Sequence, residues 1–312
     1  MKIIFLGSDN FAVPALQAIA SAGYAISCVV TQPDRSKGRG LNLAATPIKK
    51  AASELSLKLY QPDDINTPEA GRFLKSLSPD LLVVVAYGQI LSQEILDTPT
   101  KLSINLHASL LPKYRGAAPI NWAMIKGESA TGVTVMEIEK KMDAGAIILQ
   151  QEIAISADDN AVTLEEKLAG PGAKLLVSAL KKIEDKSYRR KAQEEKSVSY
   201  APKLKRQDGL IDWQSSAKEI NDLIRGTLGW PGAFTHYRSK ILKVFQAEVF
   251  AESELPKTSR PGEIIKVATE NIIISTGDGF LAIKELQLEA GKRQKVKEFL
   301  AGHKVTPGEN LV

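Results

Sequence analysis

The chain has 312 residues, of which 44% are hydrophobic and 25% charged, and a formal net charge of +5; this composition is ordinary for a globular protein with room for two domains. Its single cysteine, Cys28, excludes a disulfide framework and a cysteine-rich metal site. The sequence contains no run of about 18 apolar residues, so we expect no membrane span.

The N-terminal segment, Met1-Lys-Ile-Ile-Phe-Leu-Gly7, has the apolar character of a signal peptide. Its apolar run is too short for that role, and the polar residues 8–10 interrupt it. We therefore interpret the segment as a first β-strand and expect the protein to be cytoplasmic.

Strand and helix patterns alternate through the first half of the chain. Apolar runs predict strands at 1–6, 24–31, 57–60, 81–86, 102–106, 132–137 and 146–152. Helical spacing predicts helices at 11–22, 48–56, 67–77, 119–126 and 163–183, and residues 32–47 form a long polar loop. Repeated strand–helix units of this kind predict a doubly wound, Rossmann-like α/β domain with a partly parallel sheet.

A different pattern follows residue 210. After a short helix at 218–225, strands are predicted at 233–237, 241–249, 263–268, 271–275 and 280–288, with a hairpin turn at 277–279. Several short strands separated by turns predict a small, OB-like β-barrel. We predict a catalytic domain at 1–189, a basic linker at 190–208 and the barrel at 209–312.

Charge is distributed unevenly between the two halves. Residues 1–180 carry a net charge of −1, whereas residues 181–312 hold 24 basic and 18 acidic residues, a net charge of +6. A solvated helix end and linker would explain the excess, and so would a path for a polyanion such as nucleic acid. Charge alone does not decide between them.

The turn after the first strand does not favour a dinucleotide site. Gly7-Ser-Asp-Asn-Phe11 retains only the first glycine of the Gly-x-Gly-x-x-Gly pattern, and a Gly-Lys-Ser/Thr phosphate loop is absent.

A polar pair at the end of a buried strand is the strongest chemical signal. Asn105 and His107 point to the same side of an extended backbone, at the sheet edge where α/β proteins place their chemistry. Asp143 lies in a turn before a later strand and can reach that edge. Lone histidines and turn aspartates are often structural, as we expect of His236 and His303. Three groups that meet would orient a histidine and stabilise an oxyanion.

These residues belong to a longer set of motifs. The segment from Asn105 through Ser109-Leu-Leu-Pro112 to Tyr114-Arg-Gly116, then Thr131-Gly-Val-Thr134 and Met142-Asp-Ala-Gly145, resembles the folate-dependent formyltransferase family. Thr31-Gln-Pro-Asp-Arg35, Tyr200-Ala-Pro-Lys203 and Gly229-Trp-Pro-Gly-Ala233 narrow the resemblance to members that act on initiator tRNA. One departure is Ala146, where relatives often carry an acid.

The resemblance implies a reaction and its catalytic groups. The formyl group of 10-formyltetrahydrofolate would pass to the α-amino group of methionine esterified to initiator tRNA, with Asn105, His107 and Asp143 as catalytic residues and no metal. It implies folate contacts at four consecutive positions, and less directly at two more: Ser109, Leu110, Leu111, Pro112, Tyr87 and Gly88.

The resemblance also implies a nucleic-acid partner. Two basic sets are expected to contact tRNA, one in the loop at 34–43 and one between the domains: Arg35, Lys37, Arg39, Lys203, Lys205 and Arg206. We expect a monomer by default. Three alternatives remain at this point: a formyltransferase acting on a small amine, a 10-formyltetrahydrofolate hydrolase, and a non-catalytic RNA-binding module.

Overall fold

The computed structural model of the chain describes residues 1–37, 42–251 and 259–312. Its strands are β1 (Lys2–Gly7), β2 (Ala25–Val30), β3 (Arg35–Lys37), β4 (Asn42–Ala44), β5 (Leu59–Tyr60), β6 (Leu81–Val85), β7 (Leu102–His107), β8 (Ala130–Glu137), β9 (Ile147–Ala154), β10 (Ala233–Tyr237), β11 (Lys240–Phe250), β12 (Ile264–Val267), β13 (Ile272–Ser275), β14 (Phe280–Leu288) and β15 (Gln294–Lys295). Its helices are α1 (Val13–Ser21), α2 (Pro47–Glu54), α3 (Pro68–Ser76), α4 (Gln93–Leu96), α5 (Pro119–Ile125), α6 (Ala161–Glu184), α7 (Ala217–Gly226) and α8 (Val296–Gly302).

The chain folds into two compact units that are not contiguous in sequence. The first unit comprises Met1–Pro119, Ala130–Ala154 and Glu165–Ala201. The second comprises Ile120–Ser129, Ile155–Leu164 and Pro202–Val312.

A seven-stranded sheet forms the centre of the first unit, in the order β5-β2-β1-β6-β7-β8-β9. The five strands from β5 to β7 are parallel, and β8 and β9 continue the sheet antiparallel. This confirms the predicted doubly wound, partly parallel domain. Buried apolar side chains from the strands and covering helices fill one core, among them Ile4, Leu6, Val30, Ile65, Leu74, Leu82 and Ile95.

Two helices of the first unit begin with the same local signal. The hydroxyl oxygens of Thr46 and Thr67 each accept a hydrogen bond from the backbone N–H three residues later, and a proline occupies the next position in both. A side-chain cap followed by proline defines a helix start from sequence alone, because both act within one turn.

The predicted polar loop at 32–47 contains a two-stranded hairpin. Strands β3 and β4 pair antiparallel, with Arg35 opposite Ala44. Residues 38–41, among them Arg39, lie outside the described residues.

An antiparallel sheet forms the second unit, in the order β10-β11-β14-β13-β12, with β15 paired to β14. The C-terminal residues join its two edges. Val312 exchanges backbone hydrogen bonds with His236 of β10, at 2.8 and 3.0 Å, and Glu309 accepts one from Ile264 of β12 at 2.8 Å. The sheet therefore closes on itself, which confirms the predicted antiparallel barrel. Its core holds Trp213, Ile220, Val244, Ile274, Leu281 and Phe299.

The carboxylate of Glu309, in the C-terminal segment that closes the barrel, forms hydrogen bonds that stabilise the fold. The Tyr237 hydroxyl, at 2.6 Å, and the Arg238 guanidinium donate hydrogen bonds to its carboxylate and lower its pKa from 4.5 to about 2. A pKa that is lower in the folded state stabilises the fold above the unfolded value, so the effect is present above pH 4.5 and is lost as the pH falls toward 2. We expect Glu309→Gln to lower the melting temperature at pH 7 by roughly 2–5 °C. The difference in melting temperature between the variant and the unchanged protein should become smaller at acidic pH.

Thermal unfolding at several pH values measures this effect. Glu270→Gln is the matched control, because Glu270 forms an exposed ion pair with Lys297 at 3.7 Å. Loss of such a surface pair should change the melting temperature by less than about 1 °C. Equal melting temperatures for Glu309→Gln and the unchanged protein at pH 7 would contradict the prediction.

In the described parts of the chain, no helix combines the length and apolar character that a membrane crossing requires.

Candidate active site

The candidate site begins at the carboxyl end of β7, the last parallel strand. Asn105 lies opposite Met136 of β8, and His107 lies opposite Thr134. His107 is buried, and its Nε2 lies 3.0 Å from the carbonyl oxygen of Tyr114. A carbonyl oxygen only accepts, so Nε2 carries the hydrogen of this contact. The other ring nitrogen, Nδ1, is therefore the atom of His107 that can gain or release a proton.

Asp143 faces that nitrogen. It lies in the turn between β8 and β9, in the left-handed region with φ of 52°. Its Oδ2 accepts a hydrogen bond from the Gly116 N–H at 2.8 Å and lies 3.9 Å from His107 Nδ1. The structure thus brings together the histidine and the aspartate that were predicted from the sequence. Their separation exceeds a hydrogen bond but suits electrostatic stabilisation of an imidazolium.

The Asn105 side chain is less constrained than the side chains of His107 and Asp143. It is partly exposed, and no hydrogen bond to its amide occurs within the described residues. Residues two apart on a strand share a face, so the amide projects to the same side of the sheet as His107. An amide with unused N–H groups can donate hydrogen bonds to a ligand oxygen.

The Ser109–Pro112 segment follows β7 and is held by β8 and β9. The Thr134 hydroxyl donates to the Ser109 carbonyl at 2.6 Å, and the Gln150 amide donates to the Leu111 carbonyl at 2.9 Å and to Thr134 Oγ1 at 2.8 Å. The Ser109 hydroxyl donates to the Lys113 carbonyl at 2.7 Å. The supporting roles of Thr134 and Gln150 are not evident from the sequence, because a single polar side chain on a strand gives no periodic signal.

Side chains in this segment divide into buried and accessible ones. Leu111 packs with Met136 and Ile147 in a small apolar cluster. Leu110 and Pro112 are partly exposed. Of the four predicted folate residues, these two therefore present apolar surface, whereas Ser109 and Leu111 support the segment from within.

Tyr87 and Gly88 follow β6, beside the end of β1. The sheet order reverses between these two strands, which is where open α/β sheets form a crevice. The Tyr87 carbonyl accepts a hydrogen bond from the Ser8 hydroxyl at 2.9 Å, and burial of the phenol ring raises its pKa. Because the ring lies in the core, only backbone groups of this pair are available to a ligand.

The predicted tRNA residues lie in both units. Arg35 is exposed, and its guanidinium donates to Gln32 Oε1 at 3.1 Å; Lys37 ends β3, and Arg39 lies outside the described residues. In the second unit, Lys203, Lys205 and Arg206 are exposed on one short stretch.

Among the described residues, no group of three or more His, Cys, Asp or Glu side chains is placed to hold a metal ion.

Comparison with known proteins covers nearly the whole chain. Residues 1–180 match the family model described as formyl transferase, and residues 203–304 match the model of its C-terminal domain. The chain is 44% identical over 311 residues to a methionyl-tRNA formyltransferase from Acetivibrio thermocellus, covering 100% of this chain and 99% of that one. It is 47% identical over 306 residues to the methionyl-tRNA formyltransferase of Thermodesulfovibrio yellowstonii, covering 98% and 97%.

A solved structure shares the fold at low identity. The N-formyltransferase from Helicobacter canadensis, crystallised with folinic acid and dTDP-3-aminofucose, superposes with a TM-score of 0.70 at 22% identity, covering 91% of this chain and 98% of that one.

Proposed function

Because the chain belongs to the formyl transferase family, we propose that it transfers the formyl group of 10-formyltetrahydrofolate to the α-amino group of methionyl-initiator-tRNA. One observation supports the choice of acceptor: identities of 44% and 47% extend over 99% and 97% of the lengths of two methionyl-tRNA formyltransferases. The product, formylmethionyl-tRNA, serves translation initiation.

The proposed chemistry is direct attack of the amine on the formyl carbon. Negative charge then develops on the formyl oxygen, and no Ser or Cys nucleophile is required. Asn105 suits this step, because its partly exposed amide has no hydrogen-bond partner among the described residues and can donate to the developing oxyanion.

His107 and Asp143 would stabilise the developing charge and transfer the proton. With Nε2–H bound to the Tyr114 carbonyl, Nδ1 is the nitrogen that takes up or releases a proton near the reacting atoms. The Asp143 carboxylate stabilises the imidazolium across 3.9 Å and can assist removal of the proton from the attacking nitrogen, directly or through water.

The Ser109–Pro112 segment suits the flat folate ring. Leu110 and Pro112 offer apolar surface to the ring, while hydrogen bonds from Thr134 and Gln150 hold the backbone that carries them. Backbone groups of Tyr87 and Gly88 extend the same binding region in this proposal.

For the tRNA, we propose contacts through Arg39 with its neighbours Arg35 and Lys37, and through the exposed stretch of Lys203, Lys205 and Arg206. Basic side chains bind phosphate groups without reading bases. We also propose a catalytic domain at 1–189, a basic linker at 190–208 and a barrel domain at 209–312. The protein would act as a monomer in the cytoplasm, where the tRNA substrate is found.

The central experiment offers the protein 10-formyltetrahydrofolate with charged initiator or elongator tRNA and assays for formylmethionine. An enzyme of the proposed kind formylates the initiator tRNA. A hydrolase would release folate without an amine, a sugar-type enzyme would require a small amine, and a binding module would bind tRNA without transferring formyl.

Arg39→Glu tests the acceptor further. Loss of one phosphate contact and introduction of a like charge should lower kcat/KM for tRNA at least about tenfold. Lys174→Glu is the matched control, because it makes the same charge change at an exposed position of α6. Unchanged kcat/KM in Arg39→Glu would argue against the tRNA assignment and favour a small amine.

A further inference from the structure

A single side chain from the predicted linker holds the turn that carries Asp143. The Gln193 amide nitrogen donates to two backbone carbonyls, those of Asp143 and Gly145, each at 2.8 Å. The orientation of this amide is determined by its partners, because two carbonyls require the N–H groups on that side. Both of these hydrogen bonds end on backbone carbonyls, so the Gln193 side chain acts on the backbone of the turn.

The other end of the Gln193 amide is anchored by Arg115. Arg115 Nε donates to Gln193 Oε1 at 3.0 Å, and its guanidinium side chain is only 1% exposed. The terminal nitrogens of Arg115 also contact Glu195 at 3.3 Å. A buried guanidinium that donates along this direction fixes the Gln193 oxygen, and with it the direction of the amide N–H groups.

The same segment supports the acceptor of the His107 hydrogen bond. The Ser199 hydroxyl accepts from the Tyr114 N–H at 2.9 Å, and the Ser199 carbonyl accepts from the Arg115 N–H at 2.9 Å. The Ala201 N–H donates to the Arg115 carbonyl at 2.7 Å. Residues 193–201, which we call the strap, therefore run along the loop that positions His107 and end on the turn that positions Asp143.

Asp143 needs such support. Its φ of 52° lies in the left-handed region, which costs free energy for a residue with a side chain and persists only when the surroundings hold it. The two hydrogen bonds from the Gln193 amide to the carbonyls of Asp143 and Gly145 stabilise this backbone conformation.

We propose that Gln193 is a positioning residue for the catalytic pair, acting through Asp143. It fixes the turn at residues 143–145 so that the carboxylate faces Nδ1 of His107. The kinetic part of this inference rests on the proposed formyl transfer; the placement of the turn does not.

Gln193→Glu is the main test. The new carboxylate has the shape of the amide and still accepts from Arg115, but it places an oxygen against the carbonyls of Asp143 and Gly145, so the turn must move away. We expect kcat to fall about thirtyfold, equal to about 2 kcal/mol, with KM for tRNA changed less than about twofold. Gln17→Glu makes the same chemical change at an exposed position of α1 and should leave kcat unaltered.

Gln193→Ala is the second variant, in case the carboxylate prevents folding. It removes the two hydrogen bonds without adding a repulsive oxygen, and it should lower kcat in the same direction by a smaller factor. Melting temperatures of both variants show whether the fold is retained.

Amide hydrogen exchange supplies a readout that does not depend on activity. The Gly116 N–H donates to Asp143 Oδ2 at 2.8 Å, whereas the Ala118 N–H donates to the Ala201 carbonyl at 3.1 Å. If Gln193 positions the turn, exchange at Gly116 should accelerate at least about tenfold in Gln193→Glu while exchange at Ala118 stays constant. Unchanged exchange at Gly116 in a folded variant overturns the inference, whether or not the protein transfers formyl groups.

A double-mutant cycle shows whether Gln193 acts through Asp143. In an Asp143→Ala background, Gln193→Glu should cost less than about twofold in kcat, because the group it positions is gone. An equal loss in both backgrounds would assign Gln193 an independent role and reject the proposal. If the unchanged protein forms no formylmethionine, the proposed function fails, and the exchange experiment still decides the position of the turn.

Discussion

Replacing Asp143 is expected to lower turnover at least about a hundredfold while tRNA affinity changes little, which is the size of effect that positioned acid–base groups supply. Asp143→Asn is the sharpest variant. Its amide oxygen can still accept from the Gly116 N–H, which lies 2.8 Å from Asp143 Oδ2, but the negative charge that faces His107 Nδ1 is lost. Asp143→Ala and His107→Ala should lose at least as much.

Steady-state formylation rates and tRNA binding measured on the same preparations test this. Asp185→Ala, at an exposed position just past α6, is the control for loss of a carboxylate. Near-normal turnover in Asp143→Asn or His107→Ala would reject the mechanism. Loss of tRNA affinity in step with turnover would instead indicate a general structural defect.

Gly116→Ala is expected to impair both activity and stability. Gly116 has φ of 129°, and an added Cβ would lie 2.5 Å from the Ala201 carbonyl oxygen, which belongs to the strap. The Gly116 N–H also holds the Asp143 carboxylate. Relief of the clash must displace either the strap or the loop, so we expect turnover to fall about a hundredfold and the fold to lose roughly 2–4 kcal/mol.

Gly23→Ala separates backbone strain from the contact. Gly23 also has positive φ, 79°, but an added Cβ there would meet nothing within 4 Å. It should lose about 1 kcal/mol of stability and retain full turnover. Equal effects of the two substitutions on turnover would show that the approach of Gly116 to Ala201 is not needed for catalysis.

Much of the fold follows from local signals. Continuous apolar runs predicted the parallel strands, and Thr-Pro caps define the starts of α2 and α3, because those signals act within a few residues. Asn105 and His107 were also identifiable locally, since alternation along one strand places them on one face. Helix α4 was missed because its four residues make little more than one turn, too few to show a helical period. The seven-residue helix α8 was also missed.

The contacts that complete the site depend on residues far apart in the chain. The sequence of the segment at 190–208 predicts a charged linker. Nothing in its pattern indicates that Gln193 forms a hydrogen bond with the Asp143 turn or that Ser199 forms one with Tyr114. A single side-chain hydrogen bond has no period and no fixed spacing, so only packing of the whole unit brings its partners together.

The barrel and the function also depend partly on local sequence signals and partly on tertiary contacts. Turns and alternating strands predicted an antiparallel second half, but closure by residues 309–312 depends on where both edge strands end in space. The motifs identify the family and the chemical groups, because reacting side chains must be of particular types in a particular order. Their orientation and support arise from tertiary hydrogen bonds, since burial leaves each polar group only the partners that packing brings within reach.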